Sequence, residues 1–253
     1  MNTDQTFWGH LDVLRGCILR ILAAVIIGSI AAFCMKDWLF GLIFAPCNGD
    51  FIIYKLINAD DFHLHLINTG LTEQMMIHLK MALCIGIIAV SPYIIVVLYG
   101  FISPALYDNE KRRTIRVVLS AYIMFLVGVT INYLIIFPLT VRFLGTYQIS
   151  NSIDNMLTIS SYIDTLLMMT LLFGIIFEIP VLSWILARLR LLKADWMTHY
   201  RRHAIIAILI IAAVITPTAD VLTLLIVSLP IWLLYEASIF IVLKTSKHNV
   251  TKN

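Results

Sequence analysis

Apolar residues along this chain fall into long, nearly unbroken runs. They show neither the alternation of a half-buried strand nor the one-sided stripe of a soluble helix. Runs over about 17–35, 75–100, 117–138, 164–187 and 221–243 match or approach the roughly 20 apolar residues that carry a helix across a bilayer. A further run, 199–215, is purely apolar only from Ala204 to Ile215 and must borrow the polar turn before it, from about Thr198, to span. The pattern predicts an all-α integral membrane protein with six transmembrane helices, forming one membrane domain over 1–253. Arg20 and Lys80 lie close to the starts of their runs, where long cationic side chains snorkel to the headgroups. Pro92, Pro180 and Pro230 fall inside runs, which a membrane helix tolerates when neighbours satisfy the freed carbonyl.

The polar segments between the runs set orientation. With six spans, the N-terminal segment, the loops 101–116 and 188–203, and the tail share one side. That side holds Arg15 and Arg20, then Lys111, Arg112, Arg113 and Arg116, then Arg188, Arg190, Lys193, Arg201 and Arg202, and finally Lys244, Lys247 and Lys252. These are 14 of the 18 Lys and Arg residues, so both termini are predicted to be cytoplasmic. Without the short fifth span the three-cation tail would lie outside, so the charge pattern supports that span as well. The outside segments are 36–74, with Pro46 and Asn48-Gly49-Asp50, and 141–163, polar and almost free of cations. The last outside connection, Thr216 to Asp220, is a tight turn that makes spans five and six a helical hairpin.

Composition sharpens the class. Hydrophobic residues are 60% of the chain, charged residues 13%, and mean hydropathy is +0.93. A soluble domain carries about 25% charge and about 45–50% apolar residues. The first 16 residues read as an amphipathic lead-in without the cleavage site of a removable signal peptide. A net charge of +3 argues against a nucleic-acid partner. Cys17, Cys34 and Cys84 fall in apolar runs and Cys47 in a loop, without metal-ligand spacing, and read as free thiols. His63 and His65 form an H-x-H pair with no third ligand nearby, so no metal site and no cofactor are expected. No Walker loop, nucleophile elbow, H-E-x-x-H or dinucleotide loop is present, so the chain is not read as an enzyme. If it drives transport, the energy comes from elsewhere, and a proton-motive force is the natural source.

Two carboxylates fall inside the apolar runs. Glu178, in Phe177-Glu178-Ile179-Pro180, lies near the middle of the fourth run, where a charge costs about 2.5–3.5 kcal/mol on insertion scales. It is either protonated and bonded to a neighbouring helix or part of a functional polar patch. Glu236 lies nearer the cytoplasmic end of the sixth run, where pairing with a loop Arg and a functional role are both open. A proton-coupled secondary transporter of a small solute would also use intramembrane Glu and Pro-broken helices, but it predicts inverted repeats that the chain does not display. An intramembrane enzyme would need an acid or nucleophile beside Glu178, and none is evident.

The stretch Phe101-Ile102-Ser103-Pro104-Ala105-Leu106-Tyr107-Asp108-Asn109-Glu110-Lys111-Arg112 resembles the first cytoplasmic loop of the TatC family, the signal-peptide receptor of the twin-arginine protein translocase. His10-Leu11-Asp12-Val13-Leu14-Arg15 is similar to that family's N-terminal "H-L-x-E-L-R", Ala45-Pro46 to its "A-P", and Phe177-Glu178-Ile179-Pro180 to its "F-E-x-P". Thr216-Pro217 and Asp220, followed by Pro230 and Glu236, resemble its "T-P-x-x-D … P … E". The resemblance implies a glove-shaped six-helix bundle in a bacterial cytoplasmic membrane. It implies that the protein binds Arg-Arg signal peptides and passes folded proteins across, with single-span TatA/TatB-type partners, copies of itself and membrane lipid around it. Glu110 would read the arginine pair, with Phe101, Lys111 and Arg112 of the same loop and Leu11, Asp12 and Arg15 of the N-terminal helix. Glu178 and Glu236 would supply intramembrane polarity, and Thr216, Thr223, Leu209 and Leu225 a partner-docking edge. Pro46, Pro92, Pro104, Pro180 and Pro230 would shape the backbone. Val13 stands where the family usually has Glu, and Asp12 is the nearest acid, about 100° around the helix. Leu224 fills a place where a polar side chain is often expected, with Thr223 beside it.

Overall fold

The computed structural model describes residues 7–56, 64–102, 111–147, 156–189, 191–216 and 220–250, with the backbone alone for 7, 8, 10, 102, 111–114, 116 and 246–250. The described chain is almost wholly helical: α1 (Phe7–Cys34), α2 (Lys36–Phe44), α3 (Ile52–Leu56), α4 (Glu73–Ile102), α5 (Lys111–Ile131), α6 (Phe137–Thr146), α7 (Ile159–Ile176), α8 (Ile179–Arg188), α9 (Ala194–His199), α10 (Arg201–Ile215) and α11 (Val221–Val250). Six helical stretches are long and apolar enough to cross a bilayer: Leu11–Cys34, Lys36–Leu56, Glu73–Phe101, Val117–Thr146, Ile159–Arg188 and Val221–Thr245. The second of these is not one rod, because Pro46 and the 48–51 bend divide it into α2, a 3₁₀ turn over Ala45–Cys47, and α3. Helix α10 has 15 residues and rises about 22 Å, short of a hydrocarbon core about 30 Å thick.

The chain forms two compact units. Unit 1 comprises Met1–Phe40 and Met75–Tyr122, and unit 2 comprises Gly41–Gln74 and Ile123–Asn253. In unit 1, α1 and α4 pack closely because small residues meet. A Cβ on Gly86 would stand 2.6 Å from the Ser29 nitrogen, and one on Gly28 would stand 2.7 Å from a Val90 methyl. Small residues at a membrane-helix crossing let backbones approach where side chains would hold them apart. The Ser29 hydroxyl donates back to the Val25 carbonyl, so it carries no unmet polarity into the crossing. Further along, the His78 ring stacks on Phe33 and its Nε2 lies 3.2 Å from the Phe33 carbonyl. Contacts advance along α1 as they retreat along α4, so the two helices are antiparallel.

In unit 2, proline shapes the backbone at two places and tyrosine repairs the result. Pro46 has no N–H, so the Leu42 carbonyl one turn earlier loses its helical donor. The Tyr133 hydroxyl donates to Leu42 O, Tyr162 donates to Ile43 O at 2.8 Å, and the Tyr54 hydroxyl lies 3.0 Å from Pro46 O and 3.1 Å from Pro138 O. Pro138 likewise denies a donor to Leu134. The chain answers with a π-helical turn over Asn132–Ile136, in which Phe137 N–H bonds to Asn132 O. Phe51 and Tyr54 pack with Tyr133 and Leu134 to cover these bonds. Unit 2 is completed by α8 and α11, α10 and α11, and a cluster of Ala187, Ala194, Met197, Ile239 and Val242 that seats α9 on α11. Replacing Tyr133 with Phe keeps the ring and removes one donor from a partly buried carbonyl. The expected cost is about 1–3 kcal/mol, read as a lower unfolding temperature in detergent, with the exposed Tyr93→Phe as a silent control.

A second tie joins two segments distant in sequence. Strands β1 (Leu66–Ile67) and β2 (Leu157–Thr158) pair in parallel, Leu66 with Leu157 and Ile67 with Thr158. Beside them, Glu73 Oε2 accepts from Thr69 N–H at 2.9 Å and Gly70 N–H at 2.7 Å, while Oε1 accepts from Ser160 N–H at 3.2 Å. One carboxylate thus fixes the start of α4 to the first turn of α7.

Candidate functional site

The residues of the N-terminal motif lie on the exposed first half of α1. Leu11, Asp12, Val13 and Arg15 are all exposed, and neither Asp12 nor Arg15 has an ion pair among the described residues. Leu11 and Arg15 are four apart and share a face, with Asp12 three residues before Arg15. The antiparallel packing of α1 on α4 puts these residues at the same end of unit 1 as Phe101, which is half-buried near the end of α4. Lys111 opens α5 and Arg112 follows it. Glu110 and Pro104 lie outside the described residues. The structure therefore gathers Leu11, Asp12, Arg15 and Phe101 at one end of one unit.

Glu178 occupies a break between two helices of unit 2. Pro180, buried, supplies no N–H to the Ile176 carbonyl, so α7 stops at Ile176 and α8 begins at Ile179. The Glu178 N–H bonds back three residues to Ile175 O at 3.0 Å, and its carbonyl accepts from Leu182 N–H at 2.9 Å, which restarts the helix. Its Oε1 is buried and accepts no hydrogen bond among the described residues. An ionised carboxylate in that position carries a large desolvation cost. Two turns earlier, the Asn132 amide, fully buried, donates to Thr170 Oγ1 at 3.0 Å. Between them a Cβ on Gly128 would stand 2.6 Å from the Phe173 carbonyl oxygen, so α5 and α7 touch backbone to side-chain position. The sequence offered one signal for Asn132, an amide alone in a long apolar run, and none for its pairing with Thr170.

Glu236 is paired. Arg201 Nη2 lies 2.8 Å from Glu236 Oε2, and the neighbouring Tyr235 hydroxyl donates to Met197 O at 2.8 Å. Both bonds tie α11 to the α9–α10 corner, so of the two readings left open for Glu236 the structure displays the ion pair with a loop Arg.

The α10–α11 turn uses its own polar groups. Asp220 caps α11, its Oδ2 accepting from Thr223 N–H at 2.8 Å and its Oδ1 from the Thr223 hydroxyl at 2.6 Å. The Thr216 hydroxyl donates to Ala212 O at 3.0 Å. Both threonines are buried, whereas Leu225 is exposed and Leu209 half-buried. The outer surface of the hairpin is apolar, with Ile206, Ile210, Val214, Leu222, Leu225 and Leu229 facing outward. Pro92 and Pro230 sit within α4 and α11, which continue through them. Among the described residues no three His, Cys, Asp or Glu side chains group as metal ligands, and the four cysteines are free thiols.

Long apolar helices with outward-facing apolar side chains define a multi-pass α-helical membrane protein. A model of the family described as "Sec-independent protein translocase protein (TatC)" matches residues 9–230. The chain belongs to the TatC family and is a protein translocase component. It is 31% identical to the Sec-independent protein translocase protein TatC of Carboxydothermus hydrogenoformans, over 95% of this chain and 93% of that one. It is 34% identical to the protein of the same name in Listeria innocua, over 95% and 92%, and 30% identical to TatCy of Bacillus subtilis, over 92% and 86%. A solved crystal structure described as the twin arginine translocase receptor TatC superposes with a TM-score of 0.79 at 31% identity, covering 94% of this chain and 99% of that chain.

Proposed function

We propose that this protein is the signal-peptide receptor of a twin-arginine translocase in a bacterial cytoplasmic membrane. It binds Arg-Arg signal peptides at its cytoplasmic face and, with TatA/TatB-type single-span partners, exports folded proteins at the expense of the proton-motive force. The observation that carries this reading is the convergence of Leu11, Asp12, Arg15 and Phe101 at one end of unit 1, next in sequence to Glu110, Lys111 and Arg112. The family membership, and a solved relative described as the twin arginine translocase receptor, support it. Both termini and the loops 101–116 and 188–203 face the cytoplasm in this reading, and α10 is the short fifth span, around which the bilayer thins or a neighbour covers the ends. The hairpin edge carrying Thr216, Thr223, Leu209 and Leu225 meets the single-span partners, with the exposed Leu225 foremost. Glu178 supplies a polar patch within the membrane.

The test is binding of a synthetic signal peptide to the purified protein. An Arg-Arg peptide binds at least about tenfold more tightly than its Lys-Lys counterpart, the difference that about 1.5 kcal/mol makes, and equal binding of both would end the reading. In the same assay, Asp12→Asn weakens binding of the Arg-Arg peptide by about fivefold, the worth of a surface ion pair of about 1 kcal/mol. Val13→Glu, which restores the acid usual in the family, leaves binding intact or strengthens it. Unchanged binding by Asp12→Asn would remove Asp12 from the site and leave Glu110 alone.

A further inference from the structure

We propose that the corner formed by α9 and the first turn of α10 is a binding surface for anionic phospholipid headgroups. The segment from Leu191 to Ile206 carries Lys193, Arg201 and Arg202 against one carboxylate, Asp195, with His199 and His203 beside them. Arg201 is neutralised by Glu236. Lys193 and Arg202 are exposed and have no ion pair among the described residues. The patch is therefore a local excess of unspent positive charge.

Its surroundings are those of a bilayer surface. Trp196 and Tyr200 are 58% and 54% exposed, and such rings collect at the level of the headgroups. The Tyr200 ring meets His199 and His203 edge to face at 5.1 and 5.5 Å, and Arg188 lies over Trp184 at 5.0 Å, so the aromatic and cationic side chains are interleaved. Directly beyond the cations the surface turns apolar. Arg202 stands four residues before Ile206, on the same helix face, and Ile206, Ile210 and Val214 are all exposed. A molecule with a phosphate at one end and acyl chains at the other satisfies both halves of this surface. An acidic soluble partner would satisfy only the cations and leave the isoleucines uncovered. The inference needs only the membrane placement of the chain and is independent of which signal peptides it binds.

The experiment titrates the purified full chain in non-ionic detergent with phosphatidylglycerol and reads an apparent affinity from the rise in unfolding temperature. Each Lys or Arg near an anionic surface contributes about fivefold. The double variant Lys193→Gln/Arg202→Gln should therefore lose about thirtyfold in affinity while unfolding at the wild-type temperature without lipid. A control pair on exposed residues elsewhere, Lys36→Gln/Lys55→Gln, should lose less than threefold. Phosphatidylcholine should give no shift, and inorganic phosphate at millimolar concentration should not displace the phosphatidylglycerol. The proposal is overturned by equal losses in both double variants, which would mean net charge and not a site. It is equally overturned by full displacement with inorganic phosphate, or by an acidic peptide that binds with the same Arg202 dependence while the lipid does not bind.

Discussion

Replacing Glu110 with Gln is expected to erase the preference for an Arg-Arg over a Lys-Lys signal peptide while leaving the protein folded and inserted. An Arg guanidinium grips a carboxylate through two parallel hydrogen bonds, a geometry that a Lys ammonium cannot reproduce. A carboxamide keeps the shape of Glu110 and loses the charge and one acceptor. Magnitudes decide what this contact can do. A surface ion pair is worth about 0–1 kcal/mol, and hydrogen bonds to charged groups about 1.5–3 kcal/mol, whereas micromolar binding needs about 8 kcal/mol. In the proposed receptor the arginine contact would therefore set selectivity, and the apolar stretch of the signal peptide would supply most of the affinity. Transport of Arg-Arg and Lys-Lys cargo should converge to within about threefold in the Gln variant, a residue of the difference that 1.5–3 kcal/mol would make. Glu110→Asp, which keeps the charge on a shorter arm, should be milder. If the Gln variant still exports only Arg-Arg cargo at the normal rate, Glu110 is not the reader.

Replacing Gly128 with Ala is expected to be among the most damaging small changes in unit 2. The added methyl would stand 2.6 Å from the Phe173 carbonyl oxygen and 2.8 Å from Phe177 Cβ, and the first of these is backbone that cannot turn aside. Helices α5 and α7 must separate, at a cost of roughly 1–3 kcal/mol for overpacking, and the Asn132–Thr170 bond on the same interface is strained with them. Gly174→Ala meets the Phe125 ring at 2.6 Å, a side chain that can swing, and should cost less. Gly41→Ala meets nothing within 4 Å in α2 and should be neutral or stabilising by about 0.5–1 kcal/mol. The order of unfolding temperatures in detergent should be Gly41→Ala, wild type, Gly174→Ala, Gly128→Ala. Equal stability of Gly128→Ala and wild type would mean that the α5–α7 contact is looser than described.

The helices legible in the sequence are those that a long apolar run demands. Helices α1, α4, α7–α8 and α11 and the α5–α6 rod all follow from runs that no soluble segment would carry. Helix α10 was the ambiguous one for a physical reason: its purely apolar part begins at Ala204, and the helix gains length only by including Arg201, Arg202 and His203. Helices α2 and α3 were hidden in a mixed outside segment, where Pro46 and Gly49 read as loop. What the sequence could not display were contacts between distant residues. The Tyr133–Leu42, Tyr162–Ile43 and Tyr54–Pro138 bonds join positions 91, 119 and 84 apart. Glu73 opens α4, and one of its donors, Ser160, comes from 87 residues away. Glu178 drew attention from its sequence alone because a carboxylate in an apolar run is costly. Its buried Oε1, without a hydrogen bond among the described residues, and the break at Pro180 are what the fold adds. For Thr216 and Thr223 the fold adds the hydrogen bonds that their hydroxyls make within the hairpin.

In the proposed function a twin-arginine signal peptide lies against the loop between α4 and α5, on the cytoplasmic side. Photocrosslinking from residue 108 in membranes, with partner proteins present, addresses it directly. The expected result is an adduct with an Arg-Arg signal peptide that forms before any transport and falls at least about tenfold with the Lys-Lys peptide and in Glu110→Gln. An adduct of equal yield with both peptides, or none from residue 108 while export proceeds at the normal rate, would contradict it.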